Sequence, residues 1–158
     1  MRLAGFLCAA VFATNLPAAD FVCPVTKPPS PAFVPPAPYQ VNAGLDAFWY
    51  GDKDLWAYLP ADGIWRGLPY HQNEGYFNKL PLWKQGYDGR TEQQPEITVV
   101  LRRLGTNAPV VTKRYGTNAF AENTWVMLTG VTFPDHGCWE VTASHNSRML
   151  RFVLSIQP

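Results

Sequence analysis

No stretch of this 158-residue chain repeats apolar residues at helical spacing over three turns, so a helical core has little to form from. Charge is scarce and balanced: Asp, Glu, Lys and Arg make up 16% of residues, and the formal net charge is +1. That leaves no electrostatic footprint for nucleic acid or an anionic membrane. The paired cations Arg102-Arg103 and Lys113-Arg114 read as solvated strand faces or ends. Cysteine is limited to three residues, there is no Gly-x-Ser-x-Gly elbow, and no apolar run approaches the roughly 20 residues of a spanning helix.

What is present at the N-terminus reads as a secretory signal over residues 1–19. Met1-Arg2 is a short positive region, Leu3 to Ala13 is apolar, and "NLPAAD" offers small residues for cleavage after Ala18 or Ala19. Neither Cys8 nor Cys23 follows the small residues that a lipid-modified cysteine requires, so a soluble, exported product without an acyl anchor is expected. Cleavage removes Arg2 and leaves twelve charges of each sign. It also removes Cys8, leaving Cys23 and Cys138 in a compartment where disulfides persist, and two such thiols most simply form one bridge. The remaining length suits one domain, able to bury roughly two thirds of its unfolded surface.

From Cys23 to Pro38, "CPVTKPPSPAFVPPAP" carries too many prolines for a helix or a central strand. Residues 20–40 are therefore expected to be an extended arm, its start pinned by the bridge. Strand signals separated by turns fill residues 41–158. "DAFWY" and "DLWAYL" flank a Gly51-Asp52-Lys53 turn, and "PADG" precedes "IWRG". Ile97, Val99 and Leu101 alternate with Thr98, Val100 and Arg102, and Trp139, Val141 and Ala143, then Leu150, Phe152, Leu154 and Ile156, keep the same period around "HNSR". Trp125, Met127, Val131 and Phe133 fall on one side of a further strand. These spacings predict an all-β, antiparallel β-sandwich. Leu68 to Pro95 reads as a long irregular loop, the kind of segment where binding tends to be placed.

Phe-Pro-x-x-Gly-Cys-Trp-Glu-Val-Thr over Phe133 to Thr142, with "LRFVLSI" beyond it, resembles a group of exported bacterial proteins. "CPVTKP", "DLWAYLPADGIWRG" and "KLPLWKQGYDG" leading into "ITVVLRRL" extend the likeness over most of the chain after the signal. The resemblance implies an immunoglobulin-like sandwich with Cys23 paired to Cys138, and carries no activity with it. The segment "PYHQNEGYFN" departs from the group in being longer and more aromatic, so a ligand site there would be particular to this protein.

The chemistry available to the sequence is thin. Cys138, His145 and Met149 have the residue types of a blue-copper site, but seven strand residues put about 23 Å between Cys138 and His145. Asp135, His136 and His71 fall short of the four spaced ligands of structural zinc, and the three histidines read as surface residues. Asp52 and Asp54 are followed by Leu55 and Trp56 where a calcium loop would continue with oxygens. No metal or cofactor is expected. A carboxylate pair such as Glu74 and Asp88 in the loop could serve a hydrolase, given a suitable separation.

Aromatic residues are the positive signal, with six Trp, seven Tyr and nine Phe. That exceeds the needs of one small core. In "AFWYGDKDLWAY", Phe48 and Tyr50 face away from Trp49, and Trp56 and Tyr58 away from Leu55 and Ala57, so a second aromatic face must be exposed or roofed. Trp65, Tyr70, Tyr76, Phe77, Trp83 and Tyr87 cluster around the loop as candidate ligand contacts, with a satellite core beneath the loop as the alternative. The expected function is a non-enzymatic interaction module acting through protein contacts at the cell envelope. Glycan recognition by stacking on those rings is the second expectation and a hydrolase the third.

Overall fold

The computed structural model describes residues 21–158; the signal expected over residues 1–19 lies outside the described residues. Every regular element described is a strand. They are β1 (Ala47–Asp52), β2 (Leu55–Pro60), β3 (Ile64–Trp65), β4 (Tyr70–His71), β5 (Gly75–Leu82), β6 (Ile97–Arg103), β7 (Val111–Arg114), β8 (Thr117–Ala121), β9 (Thr124–Phe133), β10 (Gly137–His145) and β11 (Arg148–Ile156). Two sheets face each other, ordered β3-β11-β10-β6-β7 and β4-β5-β9-β8, and β1-β2 forms a separate hairpin. All pairs are antiparallel except β3 with β11. The chain crosses between sheets from β3 to β4, from β5 to β6, from β7 to β8 and from β9 to β10, an order compatible with an immunoglobulin-like sandwich.

The period of two in the sequence becomes the core. Ile97, Val99 and Leu101 meet Val141, Ala143, Phe152 and Leu154 from one sheet, and Leu80, Leu82, Met127, Val131 and Phe133 from the other. Trp139 packs edge-on against Phe133 with ring centroids 5.7 Å apart, and its indole N–H donates to the Asp135 carbonyl at 3.0 Å, so the large ring is buried without an orphaned donor.

Residues 68–95, expected to be irregular, contain β4 and all eight residues of β5. Pro81 weakens the strand signal there. It is tolerated because β4 pairs only with Tyr76 and Gly75, so the side of β5 that a missing N–H would face has no ladder to satisfy at Pro81. The irregular part is confined to 83–96. His145, expected on the surface, is 1% exposed at the end of β10, with Nε2 3.1 Å from Glu92 Oε1.

The proline-rich arm is a layer of the molecule. Cys23 and Cys138 are bridged with Cα atoms 5.4 Å apart, and Cys138 alternates outward with Glu140, so the bridge lies outside the five-stranded sheet. Beyond it, the Thr26 N–H donates to the Val153 carbonyl at 2.9 Å and Thr26 Oγ1 accepts from the Val153 N–H at 2.8 Å, closing part of the β11 edge that β3 leaves open. Gly63, at φ +75°, lets the turn before β3 pass under Val25; a Cβ there would lie 2.5 Å from the Val25 Cβ. Further on, Phe33 and Tyr39 set their ring edges against Trp56 at 5.9 and 4.9 Å.

Hairpin β1-β2 is joined to the four-stranded sheet by Trp56 and Trp83, which exchange backbone hydrogen bonds of 3.0 and 2.9 Å. Leu55, Ala57 and Leu59 thereby turn into the shared core, with Phe48 and Tyr50 packed beside them. Trp49, Trp56 and Tyr58 point to the opposite side. The hairpin thus extends the outer face of the four-stranded sheet past the end of β5.

Candidate functional site

The six loop aromatics singled out in the sequence do not form one site. Trp65 is buried on β3 against Phe133, with centroids 5.8 Å apart. Tyr87 is buried as well; its hydroxyl donates to the Glu92 carbonyl at 2.7 Å, and burial pushes its phenol above the usual tyrosine value. These two belong to the core and are corrected as contact residues. Tyr70 and Tyr76 form a tilted pair where β4 meets β5. Phe77 and Trp83 lie with Lys79 and Pro81 on the outer side of β5 and its extension, alternating with inward Leu80 and Leu82. Phe77 lies close over Gly130 of β9, where an added Cβ would stand 3.1 Å from its ring.

Trp83 leads to a surface that the loop reading missed. The outward positions of the four-stranded sheet are Thr117, Ala119 and Ala121 on β8, and Thr124, Val126, Leu128, Gly130 and Thr132 on β9. With Pro81 and Trp83 they make a nearly uncharged floor. Trp49 and Tyr58 of the hairpin form one wall: Trp83 meets Trp49 at 5.0 Å and 83°, and Tyr58 at 6.0 Å and 53°. Gln40, at the end of the arm, and Ala43 and Gly44, just past it, form another side. The cleft between them has a volume of about 400 Å³ and one charged lining residue, Glu122. A neighbouring cleft of about 530 Å³, lined by Phe33, Val34, Val41, Leu45 and Phe48, shares Ala43, Gly44 and Trp49 with it. Leu45, 97% exposed, stands at its rim.

Two signals for this surface were in the sequence. The alternation in the hairpin demanded a second aromatic face, and Val126 and Leu128 alternate with core-facing Met127. What the sequence does not reveal is that β8 brings two alanines alongside them.

The arm holds its place next to the cleft by chemistry as well as by packing. The Tyr39 hydroxyl donates to the Lys84 carbonyl at 2.7 Å, and burial raises its pKa. At the opposite end of the hairpin, the Lys53 ammonium hydrogen-bonded to Asp54 at 2.8 Å, with Arg148 beyond it, holds the Asp54 carboxyl below the usual carboxylate range. Among the described residues no group of three or more His, Cys, Asp or Glu side chains is placed to hold a metal. Glu74 precedes β5, whereas Asp88 follows it: Asn118, which bonds the Gly89 carbonyl at 2.8 Å, sits opposite Met127, the partner of Leu82. The length of β5, about 23 Å, thus separates the two carboxylates, far beyond the roughly 5–10 Å over which a glycosidase pair works.

Comparison of the chain with protein families, with curated proteins and with solved structures gave no match.

Proposed function

We propose that this protein is an exported, non-enzymatic interaction module that works through protein contacts at the cell envelope, and that the outer face of its four-stranded sheet is the contact surface. The observation that carries this reading is compositional. The outward positions of a half-buried antiparallel sheet are normally polar, yet those that line the open cleft here are alanine, valine, leucine, proline and tryptophan, with Thr117, Lys79 and Gly130 beyond it. Trp and Tyr at the wall of such a patch are the residue types enriched at protein interfaces.

Export is supported by the single Cys23–Cys138 bridge, which suits an oxidising compartment. No helix among the described residues is long and apolar enough to cross a membrane. Glycan stacking is less well supported, because a sugar platform needs coplanar rings and the cleft rings meet at 83° and 53°.

The test is site-specific photocrosslinking in cells exporting the protein, with the photoreactive residue at Ala119 in one variant and at Thr142, on the outer side of the other sheet, in a second. A discrete adduct from position 119 alone supports the reading. Equal labelling from both positions, or none from either, overturns it.

A further inference from the structure

The outer face of the extended sheet has two halves, and the chain itself occupies one of them. Over Trp56 lies the arm, an extended segment with seven prolines between Cys23 and Pro38, which seats Phe33 and Tyr39 edge-on against the indole. The open half continues the same surface without a break. Trp49 lines both clefts, and Ala43 and Gly44 join them. We infer that the open half binds an extended, proline-rich, apolar segment of a partner protein, laid beside the chain's own arm. This rests on reading that face as the contact surface.

Two features select this class of segment. First, the neighbouring interface is already made with such a chain, so the open half continues a surface shaped for one. Second, rings meeting at 83° and 53° leave slots between edges and faces; a ridge of proline rings fills slots of this kind, whereas a flat sugar needs a flat platform. Glu122 is the one charge at the cleft and imposes no charge on the rest of the ligand.

The probe is an acetylated, amidated peptide with the sequence of residues 28–38, PPSPAFVPPAP, titrated calorimetrically onto the full exported protein with its bridge intact. The control peptide has alanine at every proline. Saturable binding is expected to the unaltered protein. It should be weakened by about tenfold or more in Ala119→Arg, which fills the floor, and in Tyr58→Ala, which removes a wall, and be unchanged in Thr142→Arg on the opposite face. A melting temperature for each variant separates loss of the site from loss of the fold, and Tyr58→Ala keeps the test open should Ala119→Arg fold poorly.

Binding that survives both cleft variants would mean that the peptide exchanges with the arm over Trp56, and would overturn the inference. Equal binding of the alanine peptide, or no saturation at millimolar peptide, would also overturn it. If the peptide fails while Ala119 still yields its discrete crosslink, only the proline-rich ligand falls. If that crosslink is missing too, the contact surface falls with it.

Discussion

The two outer faces of the sandwich are built on the same pleat and differ in what they show to water. On the five-stranded sheet the outward residues are mostly polar, with Thr98, Arg102, Glu140, Thr142, Ser144 and Arg151 beside Val100, Met149 and Val153, and Arg102 bonded to Glu140 at 3.1 Å. On the four-stranded sheet they include Ala119, Ala121, Leu128, Pro81 and Trp83, around a Val126 that is itself buried. The first face is the ordinary solution to burying one side of a sheet. The second carries apolar area that folding does not use, and the arm roofs only part of it. Solvation decides one face, whereas something other than solvation decides the other.

The strongest way to break the comparison is to act on the roofed half. Trp56→Ala removes a fully buried ring held between hairpin, arm and β5, and is expected to cost about 3–5 kcal/mol in urea denaturation. Tyr58→Ala, on the open half of the same face, should cost about 1 kcal/mol or less. Equal losses would mean that the open half is part of the core.

Next comes the bridge. Replacing Cys23 and Cys138 together by serine opens a link spanning 115 residues and should lower stability by about 2–5 kcal/mol. Limited proteolysis should then cut first within the arm. Cleavage elsewhere first would show that the arm is held without its clip.

Tyr39→Phe sharpens the point at a single hydrogen bond, with an expected loss of about 0.5–1.5 kcal/mol. Burial raises the Tyr39 pKa, so the stabilisation tied to its protonated form is complete below the unfolded tyrosine value of about 10 and is lost as pH rises through the higher folded value. The phenylalanine variant should lose that part of the alkaline dependence, measured as denaturation midpoints across the alkaline range. The smallest effect is expected on the polar face. Arg102→Ala breaks a solvent-exposed ion pair and should change stability by less than about 1 kcal/mol, without altering peptide binding in the titration above.

Much of the fold was legible because burial follows a period of two. Ile97, Val99 and Leu101, or Trp139, Val141 and Ala143, announce their strands and their inward side together. β5 was hidden because Pro81 and the polar pair Asn78-Lys79 interrupt that alternation, and only the edge position of Pro81 explains why the strand survives. The disulfide followed from counting thiols. The contact surface was half legible. Alternation in the hairpin foretold a second aromatic face, but proximity in the sequence assigned the rings to a loop, which put Trp65 and Tyr87 in the wrong place. Alanines at 119 and 121 carry no local signal; they become a floor only through pairing with Val126 and Thr124. His145 was misplaced for a related reason, since a histidine beside a turn reads as exposed until Glu92 arrives from another part of the chain.

The position of the bridge divides the molecule topologically. Residues 23–138 form a covalent ring, and β11 lies outside it. That strand is nevertheless interior to its sheet, with β10 on one side and β3 with Thr26 on the other. A chain made N-terminus first presents both cysteines before β11 exists. The last strand therefore fills a slot whose two walls can already be tied to each other, a guest in a frame that closes without it.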